Sequence, residues 1–409
     1  MDKKIIEEYA KLIAVSGGAI KKGDEVIITS SLENEEFAAL VAKECYLAGA
    51  KRVQVKWVSL TLSRLDYQYA DENLLSSLDQ EGVGYQEYLN DVLPVLIYLD
   101  DDDPDGFNGL DGEKITRING TKRRNIAPFR QKRENKYKWC IAGVPSKAWA
   151  KKVFPELSES EAVEKLWEAV LSTARALDGK GIENWKKHDE AIKAQAAKLN
   201  AMNLVSLEYH SSNGTDFRVG LIPGAIFQAG GELTMGTHEE FQPNIPSEEC
   251  FTSPMKGVAE GIVYSTKPLS YQGKLIEDFS IRFKDGKAIE VKAKTGEDVL
   301  KGIIAIDEGA AYLGEVSLVP FDSPINQTGI LFFSTLYDEN ACCHLALGTG
   351  FESLYPGYET MTNEEIRQAG INYSVSHVDF MIGSKDLKIV GTSRNGVKTI
   401  IFENGTWAI

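Results

Sequence analysis

Apolar residues recur along this chain with two different periods, and the change from one to the other falls near residue 200. Close to the N-terminus Ile5, Tyr9, Leu12 and Ile13 are spaced for one side of a helix. Glu25-Val26-Ile27-Ile28-Thr29 is short and β-branched, the composition of a strand. A helix is predicted next, with Phe37, Leu40, Val41 and Tyr46 on its apolar side, Asn34 placed to cap its start and Gly49 to end it. Arg52-Val53-Gln54-Val55-Lys56-Trp57 alternates polar and apolar, the period of a strand with one buried face. Strand, helix and strand make one βαβ unit, and a further strand expected over Val92 to Leu99 extends it. The first part of the chain therefore reads as an open α/β sheet, without the glycine fingerprint of a dinucleotide-binding fold.

Helices dominate from about residue 158 to 202. Ser158 and Glu161 have capping-box spacing, and Val163, Leu166, Trp167, Val170, Leu171, Ala174 and Leu177 follow at helical intervals. Trp185, Ile192, Leu199 and Met202 mark a second long helix. Beyond Asn203 the period shortens to that of strands: Leu204 to Tyr209 and Thr215 to Leu221 flank an Asn213-Gly214 turn, and further glycine turns fall at Leu269 to Gly273, Asp285-Gly286 and Asn404-Gly405. The expected organisation is an N-terminal α/β domain, residues 1–200, and a strand-rich α+β domain, residues 201–409.

Composition narrows the partners. The net charge is -15 and the basic residues are interleaved with acids, which argues against nucleic acid. The amphipathic start lacks the apolar block of a signal peptide, and no run of about eighteen apolar residues occurs, so no membrane partner is expected. The five cysteines lack framework spacing, and Cys342 and Cys343 are adjacent, so they read as reduced thiols in a cytoplasm.

The candidate chemistry lies in the second half. In His377-Val378-Asp379 the imidazole and the carboxylate stand two apart on a predicted strand, where side chains share a face and can converge on one ion. His344 sits inside the apolar stretch Cys342 to Gly348, where a charged imidazole is costly unless it is neutralised or bound; the plain alternative is a hydrogen-bonded core histidine. Glu315 follows Gly314 and precedes Val316, Leu318 and Val319, a carboxylate at the edge of an apolar strand. Glu248 and Glu249 lie in an extended stretch between Pro246 and Pro254 that can present one of them inward. Carboxylates with imidazoles suit divalent ions such as Zn, Mn, Co or Mg. The thiols of Cys250, Cys342 and Cys343 have no Cys-x-x-Cys spacing and read as packing residues. Asp101, Asp103, Asp105 and Gly106 imitate the start of a calcium loop, but Pro104 interrupts it and Gly112 replaces its last glutamate, so an acidic turn is expected. The basic residues Lys122, Arg123, Arg124, Arg130, Lys132 and Arg133 are expected to pair with local acids.

The strings Asn244 to Pro254, Gly314-Glu315-Val316, Leu336 to Gly348 and Ser376 to Ser384, with Asn213 to Asp216 and Asn404 to Trp407, together resemble the aminopeptidase T family, which includes the aminopeptidase S enzymes. The resemblance implies a homodimeric metallo-aminopeptidase acting on small peptides, with two divalent ions (Zn, Co, Mn or Mg) in a C-terminal catalytic domain. Carried over by motif, the family's ligands fall on Glu249 (or its neighbour Glu248), Glu315, His344, His377 and Asp379, with Glu249 or Glu315 available to move a proton. There is one departure: seven residues after His344 the family usually has an active-site tyrosine, where this chain has Phe351, so either Tyr355 or Tyr358 substitutes from the same loop or that role is lost. Two other functions fit part of this set. His344, His377 and Asp379 satisfy the facial triad of a non-haem Fe(II) ring-cleaving dioxygenase, and Phe351 is compatible with a silent peptide-binding dimer.

Overall fold

A computed structural model of the chain describes residues 2–101, 103–271 and 274–409, so the turn expected at Gly273 lies outside the described residues. The chain forms two compact units, Met1–His188 with Gly231–Pro246, and Asp189–Gly230 with Ser247–Ile409. The change of period near residue 200 marks where strands begin, whereas contacts divide the chain earlier, inside the helix Gly181–Ala201. The return of residues 231–246 to the first unit comes from Asn244–Ile245, a strand too short to show a period, which pairs in parallel with Trp139–Gly143.

The first unit is an open parallel sheet in the order Asn244–Ile245, Trp139–Gly143, Val95–Asp100, Glu25–Ser31, Arg52–Val58. Val26, Ile27, Ile28, Val95, Leu96 and Ile97 are buried, as expected of central parallel strands covered on both faces. Arg52–Val58 is an edge strand with Trp57 and Val58 exposed, so it lacks the buried face that its alternation predicts. Gly49, at φ +114, ends the helix Glu35–Ala48 as expected. Its expected cap does not form: the Asn34 amide instead donates to Asp101 at 2.8 Å, and Tyr46 is exposed, accepting from the Val53 N–H at 3.1 Å. The strand expected from Val92 begins at Val95, because Val92 still belongs to the helix Gln80–Val92.

The capping box of Ser158 and Glu161 is present, but its helix stops at Thr173, leaving Leu177 exposed beyond it. Among elements with no sequence signal is the helix Gly112–Arg133, which is polar nearly all round and buries only Ile115, Ile118 and Arg133. Arg133 donates to the amide oxygens of Gln86 and Asn90 rather than to acids. In the acidic turn, Asp101 accepts from Ser31 and Asn34, and Asp105 pairs with Lys152 at 2.8 Å, so these carboxylates are engaged locally.

The second unit holds an eight-stranded sheet, in which Leu204–His210 and Asp216–Leu221 are central, and a five-stranded antiparallel sheet. The latter runs His377–Met381, His344–Gly348, Leu313–Leu318, Cys250–Thr252, Gln228–Ala229. One core cluster takes Leu207, Tyr209, Phe217 and Ile281 from the larger sheet and Val316, Leu318, Leu345, Leu347, Val378 and Phe380 from the smaller. Because side chains alternate along a strand, the residues between these point the other way. Among the described residues no helix is long and apolar enough to cross a membrane.

Gly348 shows how tightly this sheet is built. It has φ +110, and a Cβ there would press into the carbonyl oxygen of Ser376, the residue before His377. Gly348→Ala is expected to lower stability by about 2 kcal/mol or more, read from the urea midpoint. An unchanged midpoint would show that the backbone yields there at no cost.

Candidate metal centre

The face of the five-stranded sheet turned from the core carries Glu315 and Ser317, His344, Ala346 and Gly348, and His377 and Asp379. Register aligns them: Glu315, Ala346 and Asp379 form one cross-strand row, Ser317 lies opposite His344, and Gly348 lies opposite His377. Ala346 thus separates two carboxylates with the smallest side chain that still has a Cβ, leaving the space between them open. Glu249 enters immediately before Cys250–Thr252, the strand next to Glu315.

Two groups of converging donors result, Glu249 with Glu315 and His344, and Glu315 with His377 and Asp379, each within 4.8 Å of one another. His344 Nε2 lies 3.2 Å from Glu249 Oε2 and 3.8 Å from Glu315 Oε1. His377 Nε2 lies 3.0 Å from Glu315 Oε2 and 3.2 Å from Asp379 Oδ1. On the other side of each ring, Nδ1 of His344 is 2.7 Å from the Glu339 carbonyl oxygen and Nδ1 of His377 is 2.8 Å from that of Thr349. A carbonyl oxygen only accepts, so each Nδ1 carries the proton. The carboxylate oxygens before each Nε2 offer only lone pairs, so that nitrogen must either take a second proton or share a cation with them. Asp379 Oδ1 accordingly is buried without a hydrogen-bond donor among the described residues. A buried cluster of this kind calls for positive charge, whether protons on the rings or a metal ion, and the backbone acceptors behind each histidine are the outer contacts that metal-binding imidazoles use. The five residues therefore fit divalent ions on this structure's own geometry.

The same crowding moves the proton affinities. Burial opposes charge on His344, but Glu249 and Glu315 outweigh it and hold the imidazole well above its ordinary range. His377 is likewise raised against burial by Asp379 and Glu315. Burial works against the Glu315 anion too, yet hydrogen bonds from His344 and His377 pull this carboxyl down to about 2. Glu249 moves the opposite way, raised by burial and by the charge of Glu315, although it receives hydrogen bonds from His344 and from Ser317 Oγ at 2.8 Å.

Of the two adjacent glutamates, Glu249 joins the donors, while Glu248 is held through its backbone N–H, which donates to Asn340 Oδ1 at 2.8 Å, and lies in neither group. Cys250 and Cys343 belong to the core cluster, where their thiols donate to the carbonyls of Ile192 and Val319. The Phe351 ring stands 5.2 Å from the His377 imidazole. Tyr355 and Tyr358 pack instead on Ile222, Ile366 and Ile371 in a satellite cluster. One carboxylate has no counterpart in the motif reading. Glu339 is raised well above its ordinary value by burial, then by the charges of Asp379 and Glu249, which puts it in the field of the donors. Its only sequence signal is its place five positions before His344, in the string Leu336 to Gly348.

Together the sheet, the paired donor groups and their backbone supports define a candidate metal centre. Residues 2–407 match the Peptidase_M29 family, described as thermophilic metalloprotease (M29), and the chain belongs to that family: it is a metal-dependent peptide hydrolase. It is 37% identical to Aminopeptidase AmpS of Bacillus subtilis (strain 168) over 404 residues, 98% of each chain. Wild-type AmpT from Thermus thermophilus has the same fold, with a TM-score of 0.90 and 35% identity over 100% of both chains. A 2,5-dihydroxypyridine dioxygenase from Pseudomonas putida KT2440 shares the fold at a TM-score of 0.51 and 12% identity, covering 99% of this chain and 96% of that one.

Proposed function

We propose that this chain is a metal-dependent aminopeptidase, releasing N-terminal residues from small peptides at a centre of two divalent ions held by Glu249, Glu315, His344, His377 and Asp379. The observation that carries the two-ion reading is that Glu315 belongs to both donor groups, one oxygen facing His344 and the other His377. Charge supports it: Glu249, Glu315 and Asp379 bring three carboxylates to one cluster, more than one divalent ion balances. When bound, such ions acidify a water, polarise the scissile carbonyl and seat the free α-amino group, which restricts cleavage to the N-terminus. The absence of thiols from both groups favours Zn, Co, Mn or Mg over softer ions.

The protein's own part is to orient and to carry the proton. Thr349 and Glu339 carbonyls fix the histidine rings, and Ser317 fixes Glu249. Moving a proton from water to the leaving amine needs a carboxyl beside the donors that is not fully taken up as a ligand; Glu339, which lies in neither donor group, and the second oxygen of Glu249 or Glu315 meet that need. An iron triad of His344, His377 and Asp379 would leave both Glu249 and Glu315 without use and would draw its ligands from both donor groups, so nothing favours the dioxygenase reading. Assembly as a homodimer is supported by the helix Leu60–Tyr69, which buries no residue and exposes Leu62, Leu65 and Tyr69. The five unpaired, buried cysteines suit a cytoplasmic location.

The test is to strip the protein with a chelator and restore it with Zn, Co, Mn, Mg or Fe(II), following hydrolysis of L-leucine p-nitroanilide and oxygen uptake with 2,5-dihydroxypyridine. Hydrolysis should return with a non-redox ion. Oxygen uptake restored by Fe(II) alone, with no peptide cleavage, would overturn the proposal.

A further inference from the structure

Phe351 is the apolar member of an otherwise polar site, and the backbone holds it there. Its ring centroid is 5.2 Å from that of His377 and 5.2 Å from that of Phe251, the latter pair edge-on. Phe251 is two residues from Glu249 and in register with Ser317, so it shares the donors' face, and at 7% exposure it backs the half-buried Phe351. Three segments stitch the loop: the Phe351 N–H donates to Ser253 Oγ at 2.8 Å, the Gly350 N–H to the Asn372 carbonyl at 2.9 Å, and the Thr349 N–H to the Ser376 carbonyl at 2.8 Å. The Thr349 carbonyl in turn accepts from His377. Gly350 permits this approach, because a Cβ there would stand 2.9 Å from Ser253 Oγ. The backbone that orients the histidine thus also fixes the ring beside it.

We propose that Phe351, backed by Phe251, is the surface against which the peptide's N-terminal side chain packs, so that the enzyme favours substrates beginning with a bulky apolar residue. This rests on the aminopeptidase reading of the same site. The α-carbon of the first residue is bonded to both the amino nitrogen and the scissile carbonyl carbon. With those two atoms engaged at the donors, its side chain turns to whatever borders them. The border at His377 is a phenyl ring, which rewards apolar area and leaves a charged group short of hydration.

The experiment compares the p-nitroanilides of L-leucine, L-alanine and L-glutamate at saturating metal, with calorimetric binding of the products L-leucine and L-alanine as a readout independent of turnover. The wild-type kcat/KM order is leucine, alanine, glutamate, and L-leucine binds more tightly than L-alanine. In Phe351→Ser the leucine-to-alanine ratio falls on the order of tenfold in both readouts, since about three buried carbons lose their wall, whereas Phe351→Leu keeps most of it. A ratio unchanged in Phe351→Ser, or a change confined to the second residue of Leu-X dipeptides, overturns the inference while leaving the aminopeptidase reading intact. No hydrolysis of any anilide by the metal-loaded wild type overturns both.

Discussion

Glu315→Gln should lose both ions and about a thousandfold or more in kcat/KM, a change of about 4 kcal/mol. The substitution keeps the size of the side chain and removes only the charge and one acceptor. Every other proposed ligand serves one donor group, whereas Glu315 serves both, with His344 on one oxygen and His377 on the other. Its carboxyl is held down to about 2 against burial by those two imidazoles, so it is an anion at any pH at which the enzyme works. The amide leaves two histidines and the remaining carboxylates without their shared anion. Two measurements decide it: metal content per chain by mass spectrometry, and turnover at saturating metal, with circular dichroism to show that the sheet is formed. Two ions per chain and turnover within a few-fold of wild type would rule out a shared ligand at this position.

Metal affinity should climb steeply with pH through the neutral range. Without a cation, Nε2 of His344 and of His377 takes a proton at a pH above the ordinary imidazole range, because Glu249, Glu315 and Asp379 stabilise the imidazolium. An ion needs that same lone pair, so proton and metal compete. Below the raised values both rings are protonated and each ion must displace a proton; as pH rises past them the penalty disappears. Affinity is therefore lower at pH 6 than at pH 8, by up to about tenfold per pH unit for each proton displaced. Glu249, raised by burial, adds to the effect, while Glu315 carries no proton to lose. Competition with a chelator at pH 6, 7 and 8 reads the slope, and calorimetry in buffers of different ionisation enthalpy counts the protons. An affinity independent of pH would mean that these imidazoles do not face the ions.

Much of the donor set was legible because strand alternation is local. His377 and Asp379 share a face through the pleat alone, and an imidazole inside Cys342 to Gly348 is anomalous wherever that strand lies. The choice of Glu249 over Glu248 was not legible, since adjacent residues differ only in which way the chain enters the sheet. Glu339 was missed for a related reason: it lies on a 3-10 turn, Glu339–Ala341, where no two-residue period assigns a face. The helix Gly112–Arg133 escaped because its buried face is too narrow to leave a period. Asn34 could not act as a cap because Asp101, distant in sequence, holds its amide.

By itself the sequence determined the class of this protein: the order of α/β and strand-rich regions, the motifs that carry the family, and the kinds of side chain that face a cation. Only the tertiary structure decided how those side chains are shared. The antiparallel register sets Glu315, Ala346 and Asp379 in one row, gives Glu315 to both histidines and seats Phe351 beside His377. Register is the sum of many long-range pairings among segments far apart in the chain, and no local pattern encodes which residue will stand opposite which.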